Sequence, residues 1–155
     1  MAILRREKVV IFLATGLYAG KMPVAPGTWG ALVALPLYLP VSYMSLFFQV
    51  LIFVPLVGIS VWLASEASRI MGDKDPSSVV IDEIMGMLIA LTGAPFSSFY
   101  IILAFVLFRL FDIFKPFPIK TVEKNMPGGW GIVMDDVFAG IFANIVWRVM
   151  VYYWS

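Results

Sequence analysis

Residues Ser45–Ala64, SLFFQVLIFVPLVGISVWLA, decide the fold class, because only Gln49 interrupts them with a strongly polar group. About 20 apolar residues in a helix cross a bilayer core, so the stretch predicts a transmembrane helix. Shorter apolar stretches lie on either side of it, at 28–40, 79–91, 98–108 and 137–154. Pro40-Val41-Ser42 separates the first from the central run, and Gly93-Ala94-Pro95 separates the third stretch from the fourth. Both turns are short and uncharged, so each pair reads as a helical hairpin. The expected fold is therefore all-α: a polytopic helical membrane protein of two helical hairpins plus a C-terminal span. The span count is four to five, because 28–40 and 79–91 give only about 20–23 Å of helix each. One domain covers the whole of 1–155.

The N-terminus is basic over Met1–Lys8 and apolar over Val9–Ala19. Gly20-Lys21-Met22-Pro23 lacks the small-x-small pattern of a signal-peptide cleavage site. The segment reads as a retained, short interfacial helix.

Composition agrees with a membrane protein. Hydrophobic residues make up 61% of the chain, above the roughly 45–50% of soluble domains. A formal net charge of +1 gives no polycationic surface and so no nucleic-acid partner. With no Cys and no His in the sequence, disulfides, thiol nucleophiles, phosphohistidine chemistry and the commonest metal ligand are excluded. Any chemistry rests on carboxylates, Lys, Arg, hydroxyls or backbone.

Tracing the spans places every Lys and Arg except Arg148 on one side, which short-loop charge bias marks as cytoplasmic. Tyr152-Tyr153-Trp154 suits an interfacial belt at the other side, and Arg148 can snorkel outward from the last span. The same topology gathers Asp82-Glu83, Asp112 and Asp135-Asp136 on the cytoplasmic face. Five converging carboxylates repel unless a cation neutralises them, and a hard divalent ion with oxygen ligands is the natural solution; Mg²⁺ commonly uses one or two carboxylates, several waters and substrate phosphate. Gly86 follows Asp82 by one turn and Gly140 follows Asp136 by one turn, so two helices can approach closely where their acids meet. Arg109, Asp112 and Lys115 form a stripe able to mix a metal ligand with phosphate-binding cations.

Two Gly-containing loops face the same region: Lys21 to Thr28, and Pro127-Gly128-Gly129-Trp130-Gly131. Their amides could curl around an anion, although such residues are also ordinary connectors. Taken singly, Asp82 or Asp135 could be a helix cap, and Arg109–Asp112 an intrahelical ion pair. Glu66–Arg69 reads as a structural pair, and Gly72-Asp73-Lys74-Asp75-Pro76 as a solvated turn. A cation-binding transporter or channel subunit is the rival reading, since intramembrane acids also mark ion paths. It would place polar groups near the midplane, where only Asn144 and Gln49 stand. No Asp-x-Asp pair follows an apolar strand as in haloacid-dehalogenase phosphatases, and the spaced acids of CDP-alcohol phosphotransferases are missing.

With these residues in view, the sequence resembles the phosphatidylglycerophosphatase A family. Four ordered blocks carry the likeness: Gly20 to Thr28; Asp82-Glu83 with Gly86; Phe108-Arg109-Leu110-Phe111-Asp112-Ile113-Phe114-Lys115-Pro116; and Pro127-Gly128-Gly129-Trp130-Gly131 leading to Asp135-Asp136 and Ala139-Gly140. Trp130 and Val133 are local departures that spare the acidic pair. The resemblance implies an all-α, Mg²⁺-dependent phosphatase of the bacterial inner membrane that converts phosphatidylglycerophosphate to phosphatidylglycerol. Its expected metal and catalytic residues are Asp82, Glu83, Asp112, Asp135 and Asp136. Lys21, Thr28, Arg109, Lys115, Gly128 and Gly129 are the expected substrate contacts. Either water or a carboxylate could attack phosphorus, and the oligomeric state stays open.

Overall fold

The computed structural model describes residues 2–154. These form seven helices and no strand: α1 (Ala2–Ala14), α2 (Pro26–Val41), α3 (Leu46–Met71), α4 (Ile81–Leu91), α5 (Ser98–Phe114), α6 (Ile119–Asn125) and α7 (Gly129–Trp154), with a 3-10 turn at Ala19–Lys21. The all-α expectation holds.

The shortest of the apolar helices is the central one. α4 buries Ile84, Met85, Gly86, Met87, Leu88, Ala90 and Leu91, a pattern apolar on nearly every face. A helix of that kind takes the middle of a bundle, and α2, α3, α5 and α7 pack around it. Its 11 residues rise only about 16 Å, roughly half a bilayer core. It therefore stops inside the protein, where its last carbonyls need partners. Asn144 Nδ2 donates to the carbonyls of Ala90 and Thr92, both at 2.9 Å. Trp147 Nε1 donates to Ala90 O at 2.8 Å, and Tyr38 Oη to Ala94 O at 2.8 Å. Gln49 Oε1 accepts the Gly93 N–H at 2.7 Å. Arg148, exposed at this end, donates to Thr92 O at 2.7 Å and to Asn144 Oδ1 at 2.8 Å. The deep polar residues thus cap a half-length helix rather than mark an ion path.

The second expected hairpin is a packed pair, α4 against α5. The first differs. α2 packs on α4 and the 3-10 turn, while α3 packs on α7, α1 and α4, because α4, apolar beyond its first turn, draws both to itself. α1 lies on α3 through buried Val10 and Ala14. Three boundaries move: α3 runs on to Met71, α5 to Phe114, and α7 begins at Gly129 rather than near Val137. α6 lies between the fourth and fifth apolar stretches, in a segment to which the sequence pattern assigns no element.

α3 is the one described helix long and apolar enough by length and composition to cross a membrane. Only 28% of its most apolar stretch is buried, unlike the core helix of a water-soluble protein. Phe47, Leu51 and Val54 on α3, Ile102, Val106 and Ile113 on α5, and Ile145 and Val149 on α7 are exposed.

Candidate active site

The site is built where α4 and α7 cross. An added Cβ on Gly86 would stand 2.7 Å from the Asp136 carbonyl oxygen, and one on Gly140 would overlap the Gly86 carbonyl. Only glycine permits so close an approach. Asp82 lies one turn before Gly86 and Asp136 one turn before Gly140, so both carboxyls emerge at one end of the crossing. Asp82 and Glu83 occupy the first turn of α4, where the helix dipole favours carboxylates. Neither caps the helix: the N-cap is Val80, which bonds through its N–H to Ala14 O at 2.9 Å. Asp135 and Asp136 sit in the second turn of α7, both buried.

The five predicted acids divide into two kinds. Asp82, Glu83 and Asp136 offer oxygens that all lie within 4.8 Å of one another, and none forms an ion pair among the described residues. Asp112 and Asp135 are each held by a cation. Arg109 Nη1 meets Asp112 Oδ2 at 2.6 Å across one helical turn. Lys115 Nζ meets Asp135 Oδ2 at 2.6 Å and Glu123 Oε1 at 2.9 Å, tying the end of α5 to α6 and α7. Burial works against the charged form of Lys115, but the hydrogen bonds to Asp135 and Glu123 outweigh it and raise the pKa above the ordinary lysine value. Lys115 takes a left-handed backbone, φ 41°, and so turns off α5 towards the site.

A cavity of about 590 Å³ covers the cluster. All five acids, Arg109, Lys115 and Gly128 line it, as do Asp75, Glu123 and Lys74. Seven acidic side chains against three basic ones make it strongly anionic. The α2 N-terminus closes one wall: an added Cβ on Gly27 would collide with Glu83 Oε1 and lie 3.0 Å from Arg109 Nη1.

Not every predicted contact arrives. Lys21 lies outside the cavity lining, with its ammonium 4.7 Å from the Tyr18 ring centre. Thr28 is one residue beyond the lining, in the first turn of α2. Gly129 and Gly131 are helical, not loop; the Gly129 N–H donates to Ser65 Oγ at 3.2 Å, fitting α7 against α3. Of that glycine run, Gly128 keeps a positive φ, 58°, and accepts from the Gly131 N–H at 3.0 Å. The sequence reading missed Lys74, Asp75 and Glu123. No local signal marks them, since contacts from distant segments bring them to the cavity.

The donor set fits a hard divalent cation. Asp82 Oδ1 and Glu83 Oε2 are buried with no hydrogen-bond partner, which is costly unless something else binds them. A spread of 4.8 Å is about twice the ~2.0–2.4 Å bond between such ions and oxygen.

An all-helical fold with a buried carboxylate cluster able to hold a cation defines a class, a helical protein with a candidate metal site, and comparison with known proteins narrows it. The family model described as Phosphatidylglycerophosphatase A matches residues 12–151. The Escherichia coli K12 protein named Phosphatidylglycerophosphatase A is 33% identical, covering 92% of this chain and 83% of its own. The Haemophilus influenzae protein of the same name is 39% identical, covering 86% and 83%. A Bacteroides thetaiotaomicron protein provisionally named a phosphatidylinositol-3-phosphatase is 38% identical, covering 88% and 89%. No solved structure matches. The chain belongs to the phosphatidylglycerophosphatase A family, and by that membership it is a phosphatase.

Proposed function

We propose that this protein is a Mg²⁺-dependent phosphatase that removes the terminal phosphate of phosphatidylglycerophosphate at the cytoplasmic face of a bacterial inner membrane. The observation that carries the reading is the three-acid cluster with orphaned oxygens on Asp82 and Glu83, inside an anionic cavity. A phosphomonoester would be repelled there unless a cation intervened. The relatives named Phosphatidylglycerophosphatase A support the lipid substrate. The exposed apolar side chains of α3, α5 and α7 support a polytopic bundle wrapped in lipid, with α4 as a half-length helix. The transporter reading gains nothing from the family match, and its midplane residues serve as caps.

Asp82, Glu83 and Asp136 would hold the cation, which when bound supplies charge neutralisation and Lewis acidity towards phosphoryl oxygens. Arg109 and Lys115 act as anchored cations. Their partners Asp112 and Asp135 fix the guanidinium and ammonium at the cavity wall, so that remaining N–H donors can meet the phosphoryl group. The α2 N-terminus keeps Glu83 and Arg109 together through Gly27 and points a helix dipole into the cavity. The low exposure of Asp136, 3%, keeps bulk water from competing with these contacts.

The test is phosphate release from phosphatidylglycerophosphate in mixed micelles by purified protein, with Mg²⁺ or chelator. Asp82→Asn and Asp136→Asn should each lose at least about a hundredfold in turnover, and chelator should abolish it. Near-wild-type turnover by both variants, or indifference to chelator, refutes the site. Faster release from phosphatidylinositol 3-phosphate under matched conditions refutes the substrate.

A further inference from the structure

Three cations line the cavity, and two are committed. Arg109 is paired with Asp112, and Lys115 with Asp135 and Glu123. Lys74 lines the same cavity and forms no ion pair among the described residues. It stands on the loop between α3 and α4, exposed at the cavity rim, whereas Asp136 is buried at its floor. The loop is firmly held. Ser68 Oγ donates to the carbonyls of Asp73 and Lys74, at 2.9 Å to the latter. The Asp75 N–H donates to Asp73 Oδ1 at 3.2 Å, Pro76 is buried, and Val80 is tied to Ala14.

Resting on the phosphatidylglycerophosphate reading above, we propose that Lys74 is a specificity-determining residue that binds the second phosphate of the substrate, the internal diester. The reacting monoester must reach the buried acids. The next anionic group, a glycerol's length away, then falls towards the rim. Asp75, exposed and next to Lys74 in the chain, also lines the cavity and would repel the diester, so an uncommitted cation is needed there. Lys74 is the one the cavity supplies. A lipid whose only phosphate is the reacting one draws nothing from this contact.

The consequence is a split between binding and turnover. Lys74→Met should raise KM for phosphatidylglycerophosphate about three- to tenfold, the scale of one partly solvated charge contact, with kcat within about twofold. Two soluble product fragments resolve the position as competitive inhibitors of micellar hydrolysis. Glycerophosphoglycerol, which carries only the diester, should inhibit the variant about three- to tenfold more weakly. Inorganic phosphate should inhibit both proteins alike. Lys74→Arg should restore diester inhibition, and raised salt should shrink the difference. Equal weakening of both inhibitors, or of neither, overturns the assignment while wild-type turnover of phosphatidylglycerophosphate keeps the parent reading intact. Absence of wild-type turnover on that lipid overturns both.

Discussion

Gly86→Ala adds a single methyl group at the crossing of α4 and α7, and its consequences can be worked from the geometry. The new Cβ would lie 2.5 Å from Phe108 Cε2 and 2.7 Å from the Asp136 carbonyl oxygen, about 0.7–0.9 Å short of ordinary contact at 3.4 Å. Phe108 is fully buried, and the carbonyl is part of α7, so neither neighbour can swing aside. The two helices must separate by a comparable distance. Overpacking of this kind costs about 1–3 kcal/mol. The same displacement moves Asp82 and Glu83 away from Asp136, whose oxygens now lie within 4.8 Å of theirs. Mg²⁺ accepts oxygen only near 2.0–2.1 Å, and a shift of about 1 Å at a reacting centre can cost about a hundredfold. Gly86→Ala should therefore raise the Mg²⁺ concentration for half-maximal phosphate release by roughly tenfold or more and lower the melting temperature. Titration of Mg²⁺ in the micellar assay measures the first, and a thermal shift in detergent the second. A variant with wild-type Mg²⁺ dependence would show that this crossing does not set the spacing of the acids.

At the other end of α4, Asn144→Ala removes two donors to the Ala90 and Thr92 carbonyls. It should cost about 1–3 kcal/mol of stability, read as a lower melting temperature, and raise half-saturating Mg²⁺, because the same bonds hold the register of α4; an unchanged Mg²⁺ requirement would refute the coupling between the two ends. Lys115 has a raised pKa in the folded state, so the stability its ion pairs supply is complete below the unfolded lysine value of about 10.4 and is lost only as pH rises through the higher folded value. The melting-temperature gap between wild type and Lys115→Met should accordingly stay constant from pH 7 to about 9.5, and a gap that closes in that window would contradict the pairing.

The central part of the site was legible because it depends on helical spacing alone. Asp82 with Gly86, and Asp136 with Gly140, each place an acid one turn from a glycine, and the structure sets the two glycines in contact. The division of the acids was not legible. Lys115 reaches Asp135 and Glu123 only because its left-handed backbone and α6 bring three segments together, and α6, seven residues long, has no hydrophobic period to announce it. Lys74 looked like part of a solvated turn because Ser68 and Ala14, which anchor that loop, are invisible to local pattern. The second Gly run misled for a different reason. Glycine is a poor helix former in isolation, yet Gly129 is helical because its missing side chain lets α7 settle on Ser65 and Val61 of α3.

The length of α4 ties these features together. A full span would carry its first-turn acids out to bulk water and leave its last carbonyls at the opposite interface, also in water. An α4 of 11 residues instead begins under the α2 N-terminus and ends within the bundle, so both termini need partners from the protein. Those at the C-terminus fix the register. A slip of α4 along α7 by even one residue, about 1.5 Å, would break the bonds from Asn144 and Trp147 to the Ala90 carbonyl. The same slip would exceed the tolerance of a hard cation for its oxygen ligands. The polar cap at one end of the helix thus holds the acids at the other end in place, which explains the presence of buried Gln49, half-buried Asn144 and exposed Arg148 around that end of α4 without assigning them any transport role.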